Sequence, residues 1–400
     1  MKKMNLNDTI ITLGIVCHKA FWFDGKDYYT SNAFGRYVDT LASHFNHVIL
    51  CVPVAYGKSE SHQDSLLRNN ISYLHLPYIQ EGPGWGRKWK LLIKIPKIWK
   101  LLRWAISKCD IIHPRVPGHI GMIGFFIGFL VKKPMFTSVV GDWGGRILST
   151  HNSTVRRLIA WIHDLIIKYM CRHSIAFIQG MQLQLKYGSQ FHRSYQFVSS
   201  SLSDKEICDK IKNFPINSNY YNILYVGNLT KEKGLLYLLN AVKILSDKGM
   251  SIQVHLVGEG TMRSDIIKVG HELGIESKIL LHGYVPWGQK LFYYYRNSDI
   301  FVLPSLSEGT PKVLLESMAN GTPVITTNVG GISGLAIHKE NAILVKPYCA
   351  ESIAEAIYEI TKNESLRNYL IAKGFETAKQ HTIEREVAKM IEIINSELHL

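Results

Sequence analysis

The feature that most constrains the fold is the alternation of short, β-branched apolar runs with amphipathic stretches along the 400 residues. Runs of this length, separated by helical patterns, are typical of parallel strands that are buried on both faces. The predicted strands are TIITLGIVC, HVILCVPV, ISYLHLP, DIIHPR, PMFTSVV and IAFIQG in the first half, and NILYVGN, IQVHLVG, ILLHGYV, IFVLPS, TPVITT and AILVKP in the second. The sequence therefore predicts an α/β chain with two doubly wound domains.

The polar segment SSSLSDKEICDKIKNFPINSNYYN separates the two sets of strands and contains the turn formers Ser, Asn and Pro. We predict an N-terminal Rossmann-like domain over residues 1–205, a linker over 206–220 and a C-terminal Rossmann-like domain over 221–400. The last helix of the chain is a candidate to pack back on the N-terminal domain. Two such domains facing each other would place a ligand at the strand ends, in a central cleft.

The positive charge is concentrated in the first half of the chain. Residues 1–205 contain 26 Lys and Arg against 11 Asp and Glu, whereas the remainder contains 20 against 21. This asymmetry indicates that one domain meets an anionic surface or ligand.

The cysteines and the apolar segments indicate a cytoplasmic protein. The six cysteines are scattered without a CxxC pair, which is typical of reduced thiols rather than of a disulfide framework or a zinc site. We expect no signal peptide after Met1. The longest apolar run, GHIGMIGFFIGFLV at 118–131, is shorter than the roughly 20 residues that span a bilayer, so it predicts a buried helix.

Two glycine-containing turns in the second half are candidate phosphate sites, because phosphates bind where free N–H groups begin a helix. The first is Gly227-Asn228, with Lys233 opening the helix that follows it. The second carries the candidate residues Gly309, Thr310, Pro311, Lys312 and Val313. Neither turn is a GxxxxGK[ST] loop, and VGEGTM lacks the third glycine of a nicotinamide motif.

Two glutamates, Glu308 and Glu316, flank the second turn and the predicted helix start. Eight residues correspond to about 12 Å along a helix, so these carboxylates are too far apart to share a proton. Taken alone, Glu308 is also typical of a solvated capping acid and Glu316 of an exposed helical residue.

The motifs YVGNLTKEKG, LVGEG, LHGYV, EGTPKVLLESMANGTPVI and NVGG occur in this order within residues 220–350. With this spacing the chain resembles glycosyltransferase family 4. The resemblance implies the GT-B fold and retaining transfer from a nucleoside-diphosphate sugar, with a UDP-sugar favoured and no cofactor. It also implies a reaction without a metal, and the sequence contains no Asp-x-Asp element of metal-dependent sugar transferases.

The resemblance assigns roles within the second half. Glu308 would face the hydroxyls of the donor sugar, and Glu316 would accept hydrogen bonds from the ribose. The amides of 309–313 would hold the diphosphate, whose charge Lys233 would neutralise as it leaves. The backbone at Val285 would contact the base.

Several positions depart from the family pattern. Asn228 stands where the family often has arginine, so phosphate stabilisation would depend more on Lys233 and the amides. In the first half, Gly25 is the one glycine in a loop where relatives usually keep two. Val140 occupies the place of a family histidine, which leaves Asp142 as the candidate catalytic group on the acceptor side.

Residues 84–108 contain eight Lys and Arg, four tryptophans and no acid. Three interpretations fit: an interfacial membrane helix, an ordinary surface helix whose tryptophans enter the core, or a nucleic-acid surface. We predict membrane contact and no nucleic-acid partner, with Pro96 kinking or dividing the helix. The candidate membrane residues are Lys90, Lys94, Lys97, Lys100, Trp89 and Trp99.

Together these features predict an enzyme of cell-surface polysaccharide biosynthesis, for lipopolysaccharide or capsule. Its partners would be a nucleotide sugar, a glycan or polyprenyl-diphosphate-linked acceptor, and the anionic inner face of the membrane, on which it would be peripheral. Two other functions remain open: a nucleotide-sugar epimerase, and a non-catalytic, membrane-associated subunit that binds nucleotide sugars.

Overall fold

The computed structural model describes residues 10–30, 32–57, 64–65, 68–78, 85–150, 153–208 and 220–398. These residues form two compact α/β units. One unit contains the described residues up to Val198 together with those from Glu384 onward, and the other is Ser199–Ile383. The sequence placed this boundary at 205/206 and assigned all of 221–400 to one domain; most of its linker, 209–219, lies outside the described residues.

The strands form two sheets, one in each unit. In the first unit they are β1 Thr12–Val16, β2 Phe21–Phe23, β3 Tyr28–Thr30, β4 His47–Tyr56, β5 Asp64–Ser65, β6 Ile71–Pro77, β7 Ile111–Val116, β8 Phe136–Val139, β9 Ile175–Gln179 and β10 Ser194–Phe197. In the second unit they are β11 Tyr221–Val226, β12 Ile252–Val257, β13 Ile279–Gly283, β14 Ile300–Leu303, β15 Val324–Thr327 and β16 Ile343–Val345.

Helices connect successive strands, as parallel pairing requires. They are α1 Asn32–Ala42, α2 Trp85–Ser107, α3 His119–Leu130, α4 Trp143–Thr150, α5 Thr154–Arg172, α6 Met181–Leu183, α7 Leu235–Asp247, α8 Arg263–Glu272, α9 Gln289–Arg296, α10 Lys312–Ala319, α11 Ala350–Lys362, α12 Glu364–Gln380 and α13 Ile383–Leu398. The α/β fold class is confirmed.

The first sheet has the order β10-β9-β8-β7-β1-β4, and β6 pairs with β4. Its central strand, β1, pairs in parallel with β4 on one side and with β7 on the other. Leu13 and Ile15 of this strand are fully buried because neighbouring elements cover both faces. Three short strands, β2, β3 and β5, extend the sheet beyond β4.

Helix α3 occupies the apolar run and packs closely on this sheet. A Cβ atom on Gly121 would lie 2.0 Å from the Arg115 carbonyl oxygen, and one on Gly124 would lie 2.6 Å from Val16. Because no other residue fits at such a distance, the glycines allow the helix to approach the strands. The prediction of a buried core helix is confirmed for the inner face, where Phe125 is fully buried.

Helix α2 continues through Pro96 as one element. Of the two predicted effects of this proline, division of the segment is therefore wrong, and a kink stays a prediction. Ile98 and Leu102, which follow the proline, are buried in the core of the first unit, so packing holds this part of the helix in place.

Helix α13 belongs to the first unit although it ends the chain. Glu397 forms an ion pair with Arg193 at 2.8 Å and also accepts a hydrogen bond from the Tyr195 hydroxyl. Near the start of the helix, Glu386 accepts a hydrogen bond from the Val198 amide at 3.0 Å. The first unit is thus built from two separate stretches of chain.

The second sheet has the order β13-β12-β11-β14-β15-β16, and all its pairs are parallel. The chain begins in the middle with β11, moves outward to β13, and then crosses to β14 on the other side of β11. The strand order therefore reverses between β11 and β14. In doubly wound sheets, ligands bind at the carboxyl ends of the strands at such a switch point.

A line of polar side chains crosses three strands of this sheet. The His255 ring contacts the His282 ring at 3.0 Å and the Asn222 amide oxygen at 3.1 Å. His282 in turn contacts the Tyr294 hydroxyl at 3.2 Å. Burial, with the charge of His282, lowers the pKa of His255 to about 4, and burial also lowers the pKa of His282. Both rings are therefore neutral at pH 7.

We expect the folding stability to decline as the pH falls from about 6.5 to about 4. The folded-state pKa of His255 lies below its unfolded value, so the unfolded chain binds more protons in this window. Its contribution is complete above pH 6.5 and is lost as the pH approaches 4. Urea unfolding across this range should show a smaller pH dependence for His255→Gln than for the parent. Equal slopes for parent and His255→Gln would contradict the assignment.

Candidate functional site

The two predicted phosphate turns lie side by side at the switch point of the second sheet. Strand β11 leads through Gly227 into a short 3₁₀ turn, Lys231–Lys233, and then into α7. Strand β14 leads into the second turn and α10. The Leu306 amide donates to the Glu232 carbonyl oxygen at 2.8 Å, which joins the two turns directly.

Glycines allow these turns to come together. Gly234 has φ +66°, and a Cβ atom there would lie 2.1 Å from the Pro304 carbonyl oxygen. Gly330 has φ +60°, and its Cβ atom would lie 1.8 Å from the Glu308 carbonyl oxygen. A side chain at either position would force the turns apart, besides being strained at that φ.

An ion pair stands at the centre of this arrangement. The Lys233 ammonium lies 2.6 Å from Oε1 of Glu308, and the Ser305 hydroxyl donates to the same oxygen at 2.7 Å. The side chains of Lys233 and Glu308 are 20% and 9% exposed. Oε2 of Glu308 accepts no hydrogen bond from a residue in the described ranges. The pair thus offers a ligand one carboxylate oxygen and the remaining ammonium N–H groups.

Tyr225 holds the Gly227-Asn228 turn in place through a hydrogen bond. Its hydroxyl donates to the Asn228 carbonyl oxygen at 2.8 Å. Burial, with the negative charge of Glu308, raises the pKa of this tyrosine well above its ordinary value, so it remains a neutral donor. At the carboxyl end of β11, Gly227 is partly exposed and Asn228 is exposed.

The start of α10 has the features of an anion site. Pro311 is the N-cap and supplies no side-chain hydrogen bond to the first turn, whose residues include Lys312 and Val313. The Thr310 hydroxyl is buried and lacks a hydrogen-bond partner in the described part of the chain, and Gly309 beside it is exposed. The dipole of a helix and the amides of its first turn favour a bound anion.

Glu316 is buried, 4% exposed, rather than exposed on the helix surface. Its Oε1 accepts from the Ser201 hydroxyl at 2.6 Å and from the Trp287 indole N–H at 3.1 Å. Its Oε2 accepts from the Tyr295 hydroxyl at 3.1 Å. Three of about four lone-pair positions of the carboxylate are therefore used internally. The interpretation of Glu316 as an exposed helical residue is wrong, and its contact with a ribose stays a prediction.

Val285 lies just after β13, at the same edge of the sheet but two strands away from β11. It is partly buried, whereas its neighbour Tyr284 is 60% exposed. The Gly258 amide donates to the Gly283 carbonyl oxygen at 2.8 Å, which holds the turn after β13 against the turn after β12.

In the first unit, Asp142 belongs to a compact charged cluster. Its carboxylate lies 2.9 Å from the Lys186 ammonium and accepts from the Tyr187 hydroxyl at 3.1 Å and from the Gly145 amide at 2.8 Å. Lys186 also pairs with Asp164 at 2.8 Å. Burial raises the pKa of Asp142, but the hydrogen bonds from Lys186 and the Gly145 amide outweigh it and hold the pKa below its ordinary value. Asp142 is therefore an ionised, well-anchored carboxylate, and its catalytic role stays a prediction.

Gly25 lies in the tight turn between β2 and β3 with φ +102°. Asp24 caps this turn by accepting hydrogen bonds from the amides of Lys26 and Asp27. The glycine therefore joins two antiparallel strands rather than a strand and a helix. Val140 follows β8 directly and is partly buried.

Arg115, near the end of β7, was not recognised in the sequence. Its guanidinium lies over the rings of Phe34 and Tyr37 at 4.9 and 4.8 Å, and its buried Nη1 has no hydrogen-bond partner among the residues described. Burial, with the charge of Arg115, lowers the pKa of the neighbouring His113 to about 3. Strand β7 adjoins β1, where the first sheet also reverses its order. The sequence feature that could have identified it is an arginine within a buried strand. An arginine at such a strand end is suited to binding an anionic group.

The predicted membrane residues on α2 have different environments. Lys97 and Lys100 are exposed, but the Lys94 ammonium donates to the Tyr78 carbonyl oxygen at 3.0 Å. Trp99 is partly buried and packs against the core. The side chains of Lys90 and Trp89 lie outside the described residues. Within the described ranges, no helix combines the length and the apolar character needed to cross a bilayer.

Comparison with protein families identifies the second unit. Residues 207–377 match the model of the family described as glycosyl transferases group 1. The matched segment is similar to this family and covers less than half of the chain. It contains the Lys233–Glu308 pair, both phosphate turns and Glu316.

Relatives at the sequence level are also glycosyltransferases. A glycosyltransferase of Methanocaldococcus jannaschii is 35% identical over 150 residues, 37% of this chain and 38% of the relative. The lipopolysaccharide core biosynthesis glycosyltransferase LpsE of Rhizobium meliloti is 31% identical over 155 residues, 39% of this chain and 44% of the relative. The matches thus span less than half of these relatives.

The whole chain is similar in fold to Anabaena HepE, solved in complex with UDP. The TM-score is 0.69 at 15% identity, and the match covers 96% of this chain and 100% of HepE. HepE in complex with UDP-glucose gives a TM-score of 0.65 at 15% identity, over 96% of this chain and 99% of HepE. At this identity the likeness concerns the fold, and it confirms the predicted GT-B class.

We expect Glu316→Ala to lower the free energy of unfolding by about 3–5 kcal/mol, because it removes the shared acceptor of two buried hydroxyls and one partly buried indole N–H. Glu316→Gln keeps one acceptor oxygen and should cost about half as much. Chemical denaturation measures both, with Glu276→Ala as a control at an exposed glutamate. Equal stability of Glu316→Ala and the control would show that the carboxylate does not hold this network together.

Proposed function

We propose that this chain is a retaining, metal-independent glycosyltransferase of family 4. It moves a sugar from a nucleoside-diphosphate sugar, with a UDP-sugar favoured, to a glycan or lipid-linked acceptor in cell-surface polysaccharide biosynthesis. The observation that carries the proposal is the Lys233–Glu308 pair at the switch point of a sheet that lies within the segment matching the group 1 family. The UDP and UDP-glucose complexes of HepE and the function of LpsE support the donor and the pathway class.

Lys233 acts on the leaving group. One of its three N–H groups is directed at Glu308, so the others can donate to diphosphate oxygens held by the first-turn amides of α10. Negative charge on the diphosphate grows as the glycosidic bond breaks. The ammonium therefore stabilises the transition state more than the bound donor.

Glu308 positions the donor sugar. Lys233 and Ser305 fix its Oε1 from two directions, which leaves Oε2 to accept hydrogen bonds from sugar hydroxyls. A fixed carboxylate near the reacting carbon also opposes the positive charge that develops there as the bond to the diphosphate lengthens. The remaining lone-pair position of the Glu316 carboxylate accepts a hydrogen bond from a ribose hydroxyl. The backbone at Val285 contacts the nucleotide base.

We expect Lys233→Ala to lower kcat by about 10²–10³-fold and donor affinity by a smaller factor. Lys231→Ala is the matched control, because Lys231 is an exposed lysine on the same 3₁₀ turn. Steady-state kinetics and calorimetric titration with the UDP-sugar in the absence of acceptor separate the two effects. Equal losses of kcat and affinity would make Lys233 a binding residue only.

The proposed activity is tested by incubating the protein with uridine, guanosine and adenosine diphosphate sugars, with and without lipid-linked acceptors. We expect acceptor-dependent release of UDP, retention of the anomeric configuration by NMR, and activity that survives EDTA. Interconversion of the nucleotide sugar without release of nucleotide would establish an epimerase instead. Binding without any turnover would establish a non-catalytic subunit.

We further propose that the protein is peripheral on the inner face of the membrane and that α2 contributes exposed lysines to this contact. Lys97→Glu combined with Lys100→Glu should reduce sedimentation with anionic vesicles, since each cation near such a surface contributes about 1 kcal/mol. Sedimentation equal to that of the parent protein would remove α2 from the membrane contact.

A further inference from the structure

Helix α5 has two apolar faces, and the described part of the chain covers one of them. Its buried residues are Ala160, His163, Ile167, Met170 and Cys171. On the other side it exposes large apolar side chains: Val155 67%, Leu158 55%, Ile162 44%, Leu165 45% and Tyr169 39%. These five recur at steps of three and four residues, so they form one stripe along a helix about 28 Å long.

The exposed apolar surface continues beyond this helix. The Tyr169 ring contacts the Phe129 ring with a centroid distance of 5.8 Å. Phe129, Leu130 and Val131, at the end of α3, are 38%, 66% and 40% exposed. A contiguous apolar surface of this kind, unlike scattered single side chains, marks an interaction site. We call it the α5 surface: the stripe Val155–Tyr169 together with Phe129–Val131.

The charges around the α5 surface are basic. One edge of the stripe carries three basic residues, Arg157, Lys168 and Arg172. Arg157 is about three helical turns from Lys168, and Lys168 is about one turn from Arg172, so all three lie on the same side of the helix. Two further lysines, Lys132 and Lys133, directly follow Val131 after the end of α3. The acid of this helix, Asp164, is paired with Lys186.

We propose that the α5 surface docks the protein on an anionic lipid bilayer. The apolar stripe enters the boundary between headgroups and acyl chains, and the arginines and lysines at its edges contact lipid phosphates. Trp161, 59% exposed on the basic side of the helix, lies at the headgroup level that tryptophan favours. This surface is distinct from α2, and the proposal does not depend on sugar transfer.

Charge distinguishes a bilayer from a second copy of this chain. In a two-fold pair the same surface meets itself, so two apolar stripes in contact would bring two basic edges together. The charge of the first half, 26 Lys and Arg against 11 Asp and Glu, makes such a pair still less favourable. An anionic bilayer matches both the apolar stripe and its basic border.

The test is sedimentation of the purified full chain with vesicles of phosphatidylglycerol and phosphatidylcholine, without any nucleotide sugar. The stripe variant combines Leu158→Ser, Ile162→Ser and Leu165→Ser, which are exposed positions and should leave the thermal melt unchanged. We expect its partition coefficient to fall by at least about tenfold. The matched control, Ile267→Ser with Tyr358→Ser and Tyr369→Ser, removes three exposed apolar side chains from the second unit and should bind like the parent.

Charge and oligomeric state complete the test. Arg157→Gln with Lys168→Gln and Arg172→Gln should remove the preference for anionic over purely zwitterionic vesicles. Parent-like sedimentation of the stripe variant would overturn the proposal. A dimeric parent protein in analytical ultracentrifugation would also overturn it if the stripe variant were monomeric and bound vesicles as the parent does. If the parent protein binds vesicles but transfers no sugar, that result would count against the proposed enzyme alone.

Discussion

The second unit depends on how closely its backbone segments approach one another at the carboxyl edge of the sheet. Gly234 and Gly330 let the turns after β11 and β15 lie directly against the segment after β14. That contact brings Lys233 within 2.6 Å of Glu308, although 75 residues separate them. Parallel pairing explains why the contact occurs at this edge, because every strand of the sheet ends there. The ion pair is thus a consequence of steric fit as much as of charge.

The first unit repeats this plan with different chemistry. Its sheet also reverses order beside a central strand, but its corresponding edge carries the stacked guanidinium of Arg115 and, after β8, the anchored Asp142. Its outer surface carries the basic residues and the apolar stripe of α5. The two units therefore place different side chains on a similar sheet plan, and we propose an anion site for the second unit and a membrane-docking surface for the first. Function follows from side chains placed on a shared scaffold.

The sequence predicted twelve of the sixteen described strands and the helix α3, because hydrophobic periodicity reports directly on burial. It missed β2, β3, β5 and β10, which lie outside the apolar runs used to predict strands. The burial of Glu316 was also missed, since its donors are 21 to 115 residues away in the chain. The exposed stripe of α5 resembles a core face in sequence, and only the tertiary structure shows that nothing in the described chain covers it.

The discontinuity of the first unit bears on how such chains recombine. The chain enters the second unit after Val198 and leaves it before Glu384, so the second unit is an insertion within the first. A hybrid joined at a single crossover would inherit α13 from one parent and its partners Arg193 and Tyr195 from the other. Exchange of a whole second unit between relatives would therefore need two crossovers, one on each side of residues 199–383.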